Sequence, residues 1–460
     1  MVHGTGNPYL TAWVQATGLS HGELARRIAA EALRRGHRQV APDATRLRRW
    51  MDGERPRPPV PEILAAVLSD ALGQILTPGD LGLLPTGVPL DTIALPLLTE
   101  PAAAALAAWT RMDLLMMDRR EALKLAVGAP LIAATSHMLG GTARALGGGR
   151  SGFDADSVSA LEEMTAVFTA LDASHGGGLY RPAIVAQLAE VARRIQDGIP
   201  PSLRTRVFAA TADLAALAGW TSHDSGRYAT AQRYWSYGIY AAGEAGSRGR
   251  GVEIVTRMSH QMIYLGNLDD ALGLLQVAGQ RAETGGEPRV RALVLSQTGR
   301  VHAALGQPEQ AEAHLERADA VLAEATGPAP AWVAYFDAAE HAGARAVSAR
   351  DLHHHGHRGQ RASTHFEQAL ALRGPGFERV TAMDRVGLAA ALFDEGEPER
   401  AAAAGQQALN GAGLQSALIA SRINTLMAAA ARYRTPEVDE LRARATDIVS
   451  RAPQTAPVAA

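Results

Sequence analysis

The sequence predicts an all-α protein in which a small N-terminal helix-turn-helix domain precedes a long α-solenoid of helical hairpins. Three observations predict this fold class. Short segments near the N-terminus begin at helix-capping residues and end at Gly. Apolar residues in several segments recur at helical spacing. In the second half of the chain, a Gly followed five positions later by a small residue repeats at intervals of 37 to 53 residues. Such a repeat suits paired helices with variable loops better than strands.

Composition narrows the possible classes of protein. The chain has 460 residues, of which 47% are hydrophobic and 20% are charged. That length allows two or three domains with full-sized cores. The chain contains no Cys, which excludes disulfides, thiolate zinc sites and a cysteine nucleophile. The first residues have neither the basic nor the apolar region of a signal peptide, and we therefore expect a cytoplasmic protein.

The stretch from residue 43 to residue 59 predicts a short helix with a basic outer face. Asp43 is a favourable N-cap, and Gly53 followed by three prolines prevents the helix from continuing. Leu47 and Trp50 stand three positions apart and are expected to face a core. The outer side then carries side chains suited to phosphates and guanine edges: Thr45, Arg46, Arg48 and Arg49.

A second capped helix lies upstream of this one. Ser20 is its N-cap, and Glu23 three positions later completes a capping box. Two capped helices in succession predict a helix-turn-helix. Between residues 26 and 57 there are ten Arg and four acidic residues, a net charge of +6 in a chain whose total is −2. This local excess indicates a surface for double-stranded DNA. The alternative is a solvated basic helix pair that serves a protein partner.

These residues resemble the XRE-type repressor family. The resemblance is carried by the helix from Ser20 to Ile28, by Trp50 and Gly53, and by the basic, Pro-containing strip 55–58. The chain departs from the family by inserting EALRRGHRQVAP between Ala30 and Asp43. The resemblance implies that the residues nearest the base edges are His21, Thr45, Arg46 and Arg49. It implies phosphate contacts from Arg48, Arg55 and Arg57.

The segments between the two predicted domains indicate where each domain begins and ends. The segment PEILAAVLSDALG predicts a helix that closes the N-terminal domain, and residues 77–101 carry the Pro and Gly of a linker. Residues 118–138 resemble a twin-arginine export signal, but their position far from the N-terminus predicts a buried connecting helix instead. The domains are therefore predicted as 1–84, helix-turn-helix; 85–156, linker with a connecting helix; 157–450, helical repeats for sensing and dimerisation; and 451–460, flexible tail.

The repeat has a consistent pattern of small residues. The Gly and small-residue pairs are Gly226 with Ala231, Gly266 with Ala271, Gly306 with Ala311, Gly396 with Ala401, and a degenerate Gly359 with Thr364. Seven positions before the first three of these Gly stand Gly219, Ser259 and Gly299. The pattern resembles the tetratricopeptide family. Longer stretches in residues 170–345 resemble high-GC bacterial regulators with an XRE-type head and a tetratricopeptide body. That resemblance implies a transcription factor whose repeats sense a signal.

Helical spacing in such an array predicts a concave binding face on the first helix of each pair. Positions two, three, six and ten before each loop Gly face inward and mix aromatic, His and Arg side chains, which could hold a peptide or a small molecule. The predicted ligand-binding residues are Trp220, His223, Asp224, Thr256, His260, Tyr264, Ser296 and Arg300. The alternative is that Trp220 and Tyr264 are packed core and that the groove is empty or binds a protein.

Two groups of residues that could take part in metal binding or catalysis are interpreted as structural. The cluster of histidines at 353, 354, 355 and 357 could bind a transition metal, but adjacent histidines without a spaced second cluster favour a solvated loop. Asp337 and Glu340 lie one turn apart, a common arrangement on helix surfaces. We therefore expect no catalytic residues, no metal and no cofactor.

Taken together, the sequence predicts a ligand-responsive transcriptional regulator rather than an enzyme. The predicted partners are double-stranded DNA, a peptide or small-molecule effector, and a second copy of the chain in a homodimer, with no membrane. The main alternative is a helical-repeat scaffold for protein–protein interaction with no DNA-binding role. An enzyme is the least favoured class, because no nucleophile–base constellation and no cofactor motif is recognised.

Overall fold

The computed structural model describes residues 7–54, 56–57, 59–72, 78, 81, 83, 102–115, 152–176, 178–282, 287–410 and 417–451. Within these residues the regular structure is helical, which confirms the predicted all-α class. The chain divides into two compact units, residues 1–120 with 455–460, and residues 121–454. The described part of the chain contains no helix that is both long enough and apolar enough to span a bilayer.

The first unit contains short helices. They are α1 (Pro8–Ala16), α2 (His21–Arg34), α3 (Ala44–Met51), α4 (Val60–Leu72) and α5 (Ala102–Leu115). Helices α1 to α4 bury one apolar core, to which α3 contributes Leu47 and Trp50 as predicted. Helix α4 closes this core with Ile63, Leu64, Val67 and Leu68. Leu81 and Leu83 also lie in it, so part of the predicted linker belongs to the packed head.

The ends of α2 and α3 follow the predicted signals. Ser20 caps α2 and Asp43 caps α3, where the Asp43 carboxylate accepts the Arg46 amide at 2.7 Å. Gly53 has φ 102° and ends α3, where the amides of Gly53 and Glu54 donate to the carbonyls of Trp50 and Arg49. Glu23 does not complete the box as predicted, because its carboxylate pairs with Arg26 and Arg27 instead.

The insertion between the two helices is partly helical. Helix α2 continues through the inserted EALR and ends at Arg34, and the φ of 82° at Gly36 permits the turn that follows. The amides of Gly36 and His37 donate to Leu33 and Ala32, respectively, which closes the helix end. The loop that actually joins α2 to α3 therefore spans only residues 35–43.

The second unit is an array of helices packed in neighbouring pairs, and residues 201–203 form a 3₁₀ turn. The helices are α6 (Ala155–His175), α7 (Arg181–Asp197), α8 (Arg204–Asp224), α9 (Tyr228–Glu244), α10 (Arg248–Tyr264), α11 (Leu268–Ala282), α12 (Pro288–Ala304), α13 (Pro308–Glu324), α14 (Ala338–His354), α15 (Ala362–Leu372), α16 (Glu378–Asp394), α17 (Pro398–Leu409), α18 (Ala417–Ala430) and α19 (Pro436–Arg451). The most extensive packing is within the pairs α8/α9, α12/α13 and α16/α17. This arrangement is solenoid-like, as predicted.

The repeat register differs from the prediction in one pair. Gly226, Gly266, Gly306 and Gly396 all lie at positive φ in helix-connecting turns, as expected. In the pair α14/α15, however, the turn Gly is Gly356, with φ 88°, and the assignment of Gly359 was wrong. The loop between these helices spans residues 355–361 and is longer than the three-residue loop 225–227, which displaced the apparent repeat.

Small residues allow the helices of a pair to approach closely. A Cβ added at Gly219 would lie 2.4 Å from the ring of Trp235 on the next helix. The indole of Trp235 is fully buried there and donates to the Ala216 carbonyl at 3.1 Å. Gly387 on α16 stands in the same relation to Phe366 on α15. Gly219 and Gly387 are thus required for the close packing of their helix pairs.

Several predicted segments lie outside the described residues. These are most of the linker 85–156, including the connecting helix predicted at 118–138, and the tail 452–460.

Candidate functional site

The outer face of α3 carries the basic side chains that the sequence assigned to it. Leu47 and Trp50 are buried, whereas Thr45, Arg46, Arg48 and Arg49 on the other side of the helix are exposed. The two sets follow from helical geometry, because residues three apart share a face. Four polar or cationic outward positions on an eight-residue helix make a compact cationic surface.

The predicted DNA-contacting residues have different neighbours. His21 and Arg48 are brought together, with Nε of Arg48 3.4 Å from Nδ1 of His21. Arg46 pairs with Glu54 at 3.1 Å, so its charge is partly balanced. In the part of the chain that the structure describes, Arg49 has no ion-pair partner. Arg57 is also exposed, and Arg55 lies outside the described residues.

The second unit brings together three predicted residues from successive repeats. Trp220, His260 and Arg300 each stand six positions before a loop Gly. The rings of Trp220 and His260 lie 5.6 Å apart, and the Arg300 guanidinium is 3.2 Å from Nδ1 of His260. The predicted inward register therefore produces a continuous row across α8, α10 and α12.

An aromatic cluster surrounds His223 beside this row. The ring of His223 lies 5.4 Å from that of Tyr264 and 5.6 Å from those of Trp220 and Tyr228. Its Nε2 is buried without a hydrogen-bond partner among the described residues. Burial lowers the pKa of His223 to about 4, so the imidazole is neutral at neutral pH. The cluster offers apolar ring faces and one neutral polar atom.

The row lies deep in the second unit but is not fully buried. His260 is surrounded by protein, and burial together with the nearby Arg300 cation lowers its pKa well below the usual value. Even so, Trp220, His260 and Arg300 each retain some solvent-accessible surface. Side chains that are deep in the fold and still partly accessible can contact a bound molecule. We refer to the surroundings of Trp220, His260 and Arg300 as the recess.

The other three predicted ligand residues are engaged in packing. Asp224 is 1% exposed and accepts from Arg379 at 3.1 Å. Thr256 donates to the Glu253 carbonyl within its own helix. Ser296 is fully buried 2.9 Å from Nδ1 of His341. Asp224 and Ser296 hold neighbouring helices together, and Thr256 bonds within its own helix, so these three residues contribute less to the recess than Trp220, His260 and Arg300.

Several charged residues near the recess were not predicted. Two guanidiniums approach the Trp220 ring, those of Arg257 at 5.7 Å and Arg379 at 5.8 Å. Arg257 pairs with buried Glu253 at 2.5 Å, and the Tyr335 hydroxyl donates to the same carboxylate at 2.8 Å. Arg257 lies on α10, the helix that also carries His260. Arg379 lies far along the chain on α16, and local sequence spacing gives no indication that it approaches Trp220.

Arg379 links distant parts of the second unit. Its guanidinium is 3.1 Å from Asp224 on α8 and 3.6 Å from Asp172 on α6. Helix α6 also packs directly against α16. Burial raises the pKa of Asp172 to about 6, although Arg379 opposes the shift; Asp224 adds to it. A buried cluster of charges therefore joins α6, α8 and α16.

The features interpreted as structural have structural contacts. Asp337 caps α14 by accepting the Glu340 amide at 2.9 Å, and Glu340 pairs with Arg373 at 2.8 Å. His354 lies 3.0 Å from Asp394, whereas His355 contacts the Ala304 carbonyl. In the described residues, no group of three or more potential metal ligands converges.

The match to a known sequence family lies in the first unit. Residues 10–84 match the sequence family described as the SP15 N-terminal domain. This range coincides closely with the core from Leu10 to Leu83 and with the predicted limit at residue 84. No curated protein matches the chain.

Proposed function

We propose that this protein is a sequence-specific DNA-binding transcriptional regulator whose helical repeats bind a peptide or small-molecule effector. The observation that supports this most directly is the two-sided construction of α3. Its apolar side anchors the helix through Leu47 and Trp50, while its exposed side presents Arg48 and Arg49. A basic helix that is fixed to a small core and exposed along its length suits the major groove.

The contact between His21 and Arg48 supports the same proposal. It places the start of α2 beside the basic side of α3. The amino end of a helix is favourable to phosphate. The proposed DNA surface therefore combines the start of α2 with α3 and with Arg57 in the strip that follows. These are the elements to which the XRE-type resemblance of the sequence assigns DNA contacts.

We propose that the regulator acts in the cytoplasm as a homodimer held together by its tetratricopeptide-like repeats. A single head with an eight-residue basic helix buries too little surface for tight operator binding. Helix-turn-helix regulators meet this need with two half-sites roughly 34 Å apart. Light scattering together with footprinting would test this part: a monomer that protects one isolated half-site would contradict the dimer.

The experiment that tests DNA recognition is selection from a random duplex library with the full chain. We expect one enriched motif for the wild type and loss of that motif when Arg48 and Arg49 are both replaced by Gln. Arg317→Gln is the matched control, because Arg317 is an exposed arginine in the second unit and its replacement removes the same kind of charge. A protein-binding scaffold would enrich no motif, and that outcome would refute the proposal.

A further inference from the structure

The recess presents hydrogen-bond donors that the protein itself does not use. Arg300 contacts Nδ1 of His260 at 3.2 Å and Oε1 of Gln297 at 3.1 Å, and both contacts are made by the same nitrogen, Nη1. Among the described residues, Nη2 of Arg300 has no hydrogen-bond partner and is not sealed from solvent. Nε of the same guanidinium is buried and also lacks a partner there. Two of the three guanidinium nitrogens are therefore unused donors.

The contact with Arg300 also fixes which nitrogen of His260 carries the proton. A guanidinium only donates, so Nδ1 of His260 is the acceptor. Burial, together with the nearby Arg300 cation, keeps the pKa of His260 well below its ordinary value, so the ring is neutral and its one N–H is at Nε2. Within the described chain Nε2 has no hydrogen-bond partner, and it too keeps contact with solvent. His260 is therefore a second unused donor.

His223 supplies a third donor beside the row. Its Nδ1 lies 3.5 Å from the side-chain nitrogen of Gln261, which also donates to the Tyr228 carbonyl at 3.4 Å. Nδ1 of His223 is therefore an acceptor, and the neutral ring carries its proton on Nε2. That nitrogen is buried without a partner among the described residues. The rings of His223 and His260 both lie 5.6 Å from the Trp220 ring, so the unused donors gather around one indole.

The charges beside the indole are balanced by contacts within the protein. Trp220 is partly exposed, and the guanidiniums of Arg257 and Arg379 approach its ring at 5.7 and 5.8 Å. Arg257 is paired with Glu253, and Arg379 is paired with Asp224. These ion pairs do not call for a charged ligand. What the recess lacks is hydrogen-bond acceptors.

The unused donors define the chemistry of a matching molecule. Buried polar groups in proteins almost always have a hydrogen-bond partner, so several unsatisfied donors in one place indicate a missing acceptor. An indole that is partly accessible favours a flat ring, which it can contact face to face or edge to face. A peptide carries an N–H for nearly every carbonyl and so matches a set of donors less well than a molecule that only accepts.

We propose that the effector is a small, flat, uncharged ring molecule that bears hydrogen-bond acceptors, either carbonyl oxygens or ring nitrogens, along one edge. That edge accepts from Nε2 of His260 and Nη2 of Arg300, and the ring lies against Trp220. This inference rests on the proposed effector site and names the ligand class for it.

The test is calorimetric titration of the full chain, without DNA, with four two-ring molecules at millimolar concentration. Phthalazine offers two adjacent ring nitrogens and chromone offers a carbonyl, and both are uncharged. Indole only donates, and 2-naphthoate is an anion. We expect saturable binding of phthalazine or chromone, at least about tenfold tighter than binding of indole and no weaker than binding of 2-naphthoate. The preference between phthalazine and chromone identifies the natural acceptor as ring nitrogen or carbonyl.

Variants separate hydrogen bonding from general apolar binding. His260→Phe keeps a flat ring without the donor, and Arg300→Met keeps much of the length without the guanidinium; each should weaken binding of the preferred acceptor molecule about tenfold or more. His260→Gln, which keeps an N–H donor, should recover part of the affinity lost in His260→Phe. A merely structural loss would not be recovered in this way. Arg317→Met, at an exposed arginine of the second unit, should bind as the wild type does.

The proposal would be overturned if neither phthalazine nor chromone bound saturably, if indole bound as tightly as they did, or if 2-naphthoate alone bound. Unchanged affinity in both His260→Phe and Arg300→Met would also overturn it. The result is separable from the proposed function. Binding of an acceptor molecule without any effect on DNA would leave this site intact and refute only its sensing role, whereas DNA binding without it would overturn the ligand class and leave DNA recognition standing.

Discussion

Arg379 on α16 donates to Asp224 on α8 at 3.1 Å, across 155 residues of the chain. Both side chains are almost completely buried, and Asp172 on α6 lies 3.6 Å from the same guanidinium. One cation thus joins α6 and α8, near the beginning of the second unit, to α16. We expect this cluster to keep the concave side closed around the recess.

The first prediction concerns the stability that Arg379 provides. Arg379→Gln should lower the free energy of unfolding by about 3–5 kcal/mol, because it leaves two buried carboxylates without their cation. Arg361→Gln is the matched control: Arg361 also pairs with two carboxylates, Glu395 and Glu397, but its side chain is 54% exposed. Its replacement should cost less than about 1 kcal/mol. Denaturant unfolding measures both, and equal losses would contradict the assigned role of Arg379.

The second prediction concerns close helix packing at Gly219. Gly219→Ala should destabilise the second unit by about 1–3 kcal/mol, because the added methyl would overlap the buried Trp235 ring. Gly273→Ala on α11 is the control, since nothing lies within 4 Å of the added atom. That substitution should instead stabilise the helix by up to about 1 kcal/mol. Thermal unfolding of the two variants would refute the packing argument if both changed stability in the same direction.

The third prediction concerns pH. The pKa of Asp172 rises from 3.8 to about 6, mainly through burial. A folded-state pKa above the unfolded value stabilises the fold at low pH, and this contribution is lost as pH rises through about 6. Asp172→Asn removes the titration, so its melting temperature relative to the wild type should increase between pH 5 and pH 8. A constant difference across that range would show that Asp172 does not titrate there.

The fourth prediction concerns Arg49 on the exposed face of α3. Arg49→Ala should weaken binding to the selected motif more than binding to random duplex, with a loss of about 1–3 kcal/mol, because a guanidinium in the major groove can bind guanine O6 and N7 together. Arg57→Ala is the comparison: it should weaken both and reduce the salt slope by about one unit, as expected for a phosphate contact. Fluorescence anisotropy measures the affinities. Equal weakening of both duplexes by Arg49→Ala would make Arg49 a phosphate contact.

Local patterns in the sequence predicted the local structure well. The caps at Ser20 and Asp43, the stop at Gly53 and the inward side chains Leu47 and Trp50 all follow from interactions within about one helical turn. The row across three repeats was predictable for the same reason, because a fixed position before each loop places side chains on one face.

Contacts between distant helices were not predictable from these patterns. The approach of Arg379 to Asp224 depends on how small rotations accumulate over eight helices, which no single repeat encodes. The misplaced Gly359 had a local cause: the longer loop after Gly356 shifted the apparent spacing.

The most direct test of the central claim is the affinity of the full chain for its selected duplex as a function of salt concentration. A regulator that neutralises several phosphates should bind saturably, with the logarithm of its affinity falling linearly with the logarithm of salt by about 0.9 for each phosphate contacted. We expect a steep slope together with a clear preference for the selected motif over random duplex. The absence of saturable binding at low salt, or binding that salt leaves unchanged, would contradict the account.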